Sequence, residues 1–205
     1  MRGTEEDLEK VIESGAGAAK YVEPDLIVHS TPEVEADDAE ASWWGLERVG
    51  AYRRASEGAG VTVFLTDTGV RATHSDFGGR VIPTLDMTLG SDPLECDGDV
   101  SCAGDVQGHG THCAGSAAGA SYGVAPAATI RSVKVLSDEG SGAWSWSFGA
   151  LNWMVKSGIR PAIASMGLGG KGAVSAMKDA IDQLGEFFGG KSADLGGCRC
   201  TQLAW

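Results

Sequence analysis

The chain has 205 residues, 42% of them hydrophobic, enough to bury the core of one domain plus an appendage. Its formal net charge of −12 leaves no basic face to displace counterions from phosphate, which argues against a nucleic-acid partner. No stretch approaches the roughly 20 apolar residues of a membrane-spanning helix, and Met1 to Glu6 has no apolar core after Arg2, so neither a membrane association nor a secretory signal is legible. In chain order, Thr4 and Asp7 suggest a capping box, and Leu8, Val11 and Ile12 one apolar face of a short helix. Lys20 to His29 reads as an extended segment. Pro32 to Glu40 is a solvated acidic linker.

Val61-Thr62-Val63-Phe64-Leu65-Thr66 is a short apolar run rich in β-branched residues, the pattern of a buried parallel strand. Asp67 follows it, and Gly69 allows a sharp turn. An aspartate at the C-terminal end of such a strand stands where α/β sites are built. The next loop is crowded with Asp92, Glu95, Asp97, Asp99 and Asp105, which suit a structural calcium ion although their spacing is not that of an EF-hand. Cys96 and Cys102 flank Asp97-Gly98-Asp99-Val100-Ser101; they close a small disulfide loop in an oxidising compartment or stand as two surface thiols. With five cysteines, at least one is free or paired between chains.

Gly108 to Gly115 puts His109 at the start of a helix built almost wholly of small residues. Such a helix has little apolar stripe, so its merit is close backbone approach to a sheet. The positive end of the helix dipole disfavours an imidazolium, so a histidine that accepts a proton there needs a nearby carboxylate, and Asp67 is the candidate. A metal site from Asp67, His109, His112 and Cys113 is the competing reading. Thr129 to Leu136 and Ala162 to Leu168 read as further strands. Trp144, Phe148, Leu151 and Val155 recur at helical spacing, as do Val174, Met177, Ile181 and Leu184. Strands alternating with helices predict a parallel sheet. Beyond Leu184, residues 185–205 carry Gly-Gly pairs and Cys198-Arg199-Cys200 and read as an irregular tail.

Thr66-Asp67-Thr68-Gly69-Val70 and Gly108-His109-Gly110-Thr111-His112-Cys113 resemble the first two active-site motifs of the subtilisin-like serine peptidases, the second most closely in the proteinase K branch. The resemblance implies an α/β fold with a parallel sheet and flanking helices, here incomplete. It implies a serine-type endopeptidase in which Asp67 orients His109 and His109 takes the proton of a serine hydroxyl. It also divides the chain: 1–31 resembles a remnant of an inhibitory α+β propeptide, 32–42 is the linker, 43–184 resembles the N-terminal part of the peptidase domain, and 185–205 shows no resemblance. Both ends therefore look truncated. The substrate, a protein or peptide, would lie as an added strand between Gly140-Ser141-Gly142 and Gly167-Leu168-Gly169; the chain's own propeptide would be a second partner. No cofactor is implied beyond structural calcium, and secretion is implied by family alone. His74 matches a loop of the family and is read as a surface histidine. The family's Gly-Thr-Ser-Met-Ala nucleophile motif is absent, and Asn152, the sole asparagine, lies in a helix, so neither nucleophile nor oxyanion asparagine is present. The chain alone is expected to be inactive, with a peptide-binding pseudo-peptidase as the alternative.

Overall fold

A computed structural model describes residues 4, 6–7, 10, 23–31, 44–51, 55–90, 93–170, 175–189 and 201–202. The centre of the fold is strand β2 (Thr62–Asp67), every residue of which is buried. It is parallel to β5 (Thr129–Lys134) on one side and β7 (Ala162–Met166) on the other. Strand β3 (Val81–Asp86) lies parallel to β5, and the two-residue strands β4 (Leu94–Glu95) and β9 (Thr201–Gln202) pair antiparallel at the two edges. The order β4-β3-β5-β2-β7-β9 gives a six-stranded, mostly parallel α/β sheet.

Alternation along β2 sends its side chains to two cores. Val63 and Leu65 join Phe77, Val81 and Ile130 beneath helix α2 (His109–Ala118). Phe64 faces the opposite way, into a larger cluster with Leu151, Met154, Ile181 and Leu184 from helices α3 (Trp144–Ser157) and α4 (Ser175–Phe188). Phe64 stands edge-on to Trp153 and stacks on Phe188. Burial of each such side chain contributes about 1.5–3 kcal/mol. Helix α2 has the small-residue character expected of close approach: a Cβ on Gly110 would overlap the Gly69 carbonyl oxygen and come within 3.2 Å of Asp67 Cβ.

A separate three-stranded antiparallel sheet, β6-β1-β8, forms beside the C-terminal ends of the parallel strands. Its middle strand is β1 (Ile27–Ser30), flanked by β6 (Ser141–Ala143) and β8 (Leu168–Gly169). The short helix α1 (Trp44–Arg48) precedes the main sheet.

The strand β3 carries no clear signal in the sequence, because Pro83 interrupts an otherwise β-branched run. The sheet accommodates it with a register irregularity between Pro83 and Leu85. In the predicted stripe of α3, Leu151 is fully buried, while Trp144, Phe148 and Val155 pack against the core from its rim. Helix α4 runs on through Phe188, past the boundary drawn at residue 184, and Thr201 and Gln202 of the expected irregular tail pair with Met166 and Ser165. The reciprocal Thr4–Asp7 hydrogen bonds of a capping box are present, whereas Leu8, Val11, Ile12, Asp92, Val174, Cys198, Cys200 and the 32–42 linker lie outside the described residues.

Candidate active site

Asp67 ends β2 and His109 begins α2, and the close approach of helix to strand at Gly110 brings the two side chains together. The turn that follows Asp67 has little freedom. Gly69 has φ +106°, and a Cβ there would lie 2.5 Å from the Gly104 carbonyl oxygen and 2.6 Å from that of Ala103. His109 Nδ1 lies 2.7 Å from Asp67 Oδ1, which also accepts from the Thr68 amide at 2.7 Å. Both side chains are buried.

A second carboxylate locks the helix start. Asp105 accepts from Thr68 Oγ1, the Gly108 amide and the Thr111 amide at 2.8, 2.9 and 2.8 Å, and Thr68 Oγ1 in turn accepts from the Gly110 amide at 2.9 Å. Burial opposes ionisation of Asp105, yet the donors from Thr111, Gly108 and Thr68 together hold its carboxyl below the usual range. These bonds occupy Asp105, and Asp99 likewise accepts from its own loop, from Ser101 N and Oγ. Cys96 and Cys102 are joined in a disulfide across the loop.

The Asp67 hydrogen bond is the main cause of a raised His109 pKa of about 10, helped by Cys113 and opposed by burial. Cys113 Sγ stands 3.8 and 3.9 Å from the two ring nitrogens. Asp67, His109 and Cys113 form the one cluster of three metal-capable groups among the described residues. Within it, Nδ1 is engaged by Asp67. His112, the other member proposed from sequence, is exposed.

The remaining ring nitrogen, Nε2, lies 3.2 Å from Thr31 Oγ1. Thr31 Oγ1 also lies 3.3 Å from the Gly167 carbonyl, to which the Thr31 amide donates at 3.0 Å. Upstream, β1 runs between the two glycine-rich edges: Val28 pairs with Gly142 and His29 with both Ser141 and Gly169, Ser30 pairs with Leu168, and the Ser30 amide donates to Gly140 at 2.9 Å. The missing side chains make room. A Cβ on Gly142 would press on Leu136 and Trp146, one on Gly170 would lie 2.9 Å from the Ile27 carbonyl oxygen, and one on Gly167 would lie 2.6 Å from Asp67 Oδ2.

Two carboxylates ahead of β1 cap two helices. Asp25 accepts from the Ser145 amide and hydroxyl at 2.9 and 2.6 Å at the start of α3, and Glu23 accepts from the Ser175 and Ala176 amides at 2.9 and 3.0 Å at the start of α4. Those amide bonds hold the Glu23 carboxyl below its ordinary value. Sequence reasoning brought Asp67, His109 and both edges to one place but missed Thr31, Glu23 and Asp25, whose partners lie 78 to 153 residues away. His74 sits apart, accepting from the Asp76 amide in a loop turn.

A parallel α/β sheet that ends in a buried carboxylate–imidazole pair, beside a groove holding an extended strand, has the architecture of a peptidase. The match to known proteins is specific: residues 58–196 fit the model of the subtilase family, Peptidase S8, and the chain belongs to that family. It is 35% identical over 179 residues to a subtilisin-like protease of Coccidioides posadasii, covering 81% of this chain and 41% of that protein. It is 37% identical over 147 residues to an extracellular serine proteinase of Thermus sp. strain Rt41A, covering 67% of this chain and 33% of that protein. A cold-adapted subtilisin-like serine proteinase of known structure superposes with a TM-score of 0.55 at 32% identity, over 66% of this chain and 46% of that one. The chain thus spans less than half the length of these relatives. No described helix is long and apolar enough to cross a membrane.

Proposed function

We propose that this chain carries the acid–base half of a serine-type endopeptidase, with Asp67 orienting His109 and His109 serving as the proton acceptor for a nucleophilic hydroxyl. The observation that carries the reading is the strand in the groove. The residue that follows it, Thr31, meets Nε2 of His109, the nitrogen that Asp67 leaves available. A substrate protein or peptide would take the place of β1, forming backbone hydrogen bonds to Gly140 and Gly167 and pairing along Ser141-Gly142 and Leu168-Gly169. In the form described, β1 is an inhibitory segment held in that place by Glu23 and Asp25 just upstream of it, and residues 1–31 belong to a propeptide. The extracellular character of the Thermus relative supports secretion of the whole peptidase.

These 205 residues do not include the nucleophile. No Gly-Thr-Ser-Met-Ala sequence is present, and the single asparagine, Asn152, is exposed on α3 away from the pair. In a related enzyme, loss of the serine alone costs on the order of a millionfold in kcat. The chain by itself therefore binds a strand without cleaving it. Incubation with a fluorophosphonate probe and with a denatured protein substrate tests this. No heat-sensitive labelling and no cleavage are expected; labelling of the folded chain at any serine or threonine would refute the assignment.

A further inference from the structure

The loop from β4 to α2 is the segment against which both halves of the acid–base pair are set. Its Ala103 carbonyl accepts from the Val70 amide at 3.1 Å and from Ser132 Oγ at 2.7 Å, and the carbonyls of Ala103 and Gly104 crowd Gly69 in the turn after Asp67. Its Asp105 carboxylate takes the Thr68 hydroxyl on one oxygen and the Thr111 amide on the other, joining that turn to the start of α2. Cys102, next to Ala103, is cross-linked to Cys96, whose amide donates to the Thr84 carbonyl of β3 at 3.1 Å. The disulfide thus moors the start of Ala103–Asp105 to the edge of the sheet.

Asp97 and Ala103 each directly follow one of the two cysteines, and among the described residues they are the non-glycine positions with positive φ, at 44° and 50°. Side chains rarely adopt that backbone, and it persists where the surroundings fix it. Residues 97 to 101, between the two sulfurs, are exposed, and a hollow of about 480 Å³ lies beside Val100, Ser101, Gly104 and Asp105. A loop backed by a hollow can relax once its cross-link opens.

We propose that Cys96–Cys102 is a thiol–disulfide exchange site through which a dithiol reductant loosens the Asp67–His109 pair. Cys96 is 4% exposed and Cys102 is half-buried, so the attacking thiolate bonds to the Cys102 sulfur, the S–S bond breaks, and the Cys96 sulfur leaves as a thiolate. The second thiol of the reductant then attacks its own sulfur in the mixed disulfide, and Cys102 leaves. The protons lost by the dithiol end on the two cysteines; the chain gains two electrons and the dithiol becomes a disulfide. Ala103 can then leave its left-handed conformation and Asp105 can release Thr68 and Thr111. The proposal rests on the reading of Asp67 and His109 as an acid–base pair, but its test reads amides and a titration rather than peptide binding or cleavage, so the two fail separately.

The test treats the full chain with dithiothreitol in the absence of denaturant, with alkylation and mass spectrometry reporting which cysteines have opened. Once Cys96–Cys102 is reduced, hydrogen exchange at the Val70 and Thr111 amides should be about tenfold faster while the Leu65 amide of β2 is unchanged. The His109 pKa should fall from about 10 toward 6.5 in an NMR titration. The double variant Cys96→Ser, Cys102→Ser should show these properties before any reductant is added, which separates this disulfide from the other cysteines. Asp105→Ala with the disulfide intact should speed exchange at Thr111 and lower the His109 value while leaving Val70 protected, because the partner of Val70 is Ala103. Opening of the disulfide with Val70, Thr111 and His109 unchanged would overturn the proposal, as would a cross-link that dithiothreitol does not open in the folded chain. Loss of Leu65 protection together with the others would mean global unfolding and would also refute it.

Discussion

The two sheets of this molecule are stabilised by different physics. The parallel sheet around β2 is held by side chains: it is buried on both faces, by Val63 and Leu65 on one and Phe64 on the other. The β6-β1-β8 sheet is held by backbone. Its edges are glycine-rich, Val28 is the single fully buried side chain of β1, and much of its attachment runs through amides to Gly140 and Gly167 and through two carboxylates on helix N-termini. The first kind of sheet builds a rigid floor that fixes Asp67 against His109. The second is a place where one strand can be exchanged for another, because backbone hydrogen bonds do not depend on which side chains the incoming strand carries.

The largest expected difference between the two regions comes from truncating a side chain in each. Phe64→Ala should cost about 3–5 kcal/mol, read as a lower urea midpoint, because it leaves a cavity between Trp153 and Phe188. Ile27→Ala in the cleft sheet, at a residue 65% exposed, should change stability by less than about 0.5 kcal/mol. Equal effects would erase the distinction.

A sharper probe lies at the junction of the regions. Removing the charge with Asp67→Asn takes away the largest cause of the raised His109 pKa, so the value should fall from about 10 toward 6.5 in an NMR titration. Because the folded value lies above the unfolded one, the pair's contribution to stability is complete below pH 6.5 and declines as the pH rises through about 10. The thermal midpoint of the unaltered chain should therefore fall across that window more steeply than that of Asp67→Asn. Parallel profiles would contradict the assignment.

Smaller effects follow at the periphery. Replacing both Cys96 and Cys102 by serine opens a loop of sequence separation 6 and should cost about 2 kcal/mol, measured by denaturant unfolding. Glu23→Gln should leave the global midpoint almost unchanged while speeding hydrogen exchange at the Ser175 and Ala176 amides. The pH dependence has the opposite sign to that of His109: the Glu23 contacts are complete above the ordinary carboxyl value of 4.5 and are lost as the pH falls through the lower folded value. Protection of those two amides that persists in strong acid would rule out the carboxylate as their partner.

The sequence was informative where local pattern determines structure. The β-branched run before Asp67 and the small-residue helix after His109 each report their own burial, and the glycines at 140, 142 and 167 mark the groove because close backbone approach demands them. Strand β3 was hidden by Pro83, whose missing N–H argues against a sheet interior until the register irregularity is seen. Glu23, Asp25 and Thr31 were hidden for another reason. Acidic and hydroxyl residues ahead of an acidic run look solvated, and only the return of the chain some 78 to 153 residues later supplies their partners, His109 for Thr31 and two helix ends for Asp25 and Glu23.

The most direct test of strand occupancy is the NMR pattern of residues 26 to 31 in the full chain at neutral pH. Cross-strand NOEs joining Val28 to Gly142, His29 to Gly169 and Thr31 to Gly167, with slowly exchanging Ser30 and Thr31 amides, are the expected result. Random-coil shifts and fast exchange for these residues, with β2 and α2 still protected, would show that the groove is empty and that the inhibitory role assigned to β1 is wrong.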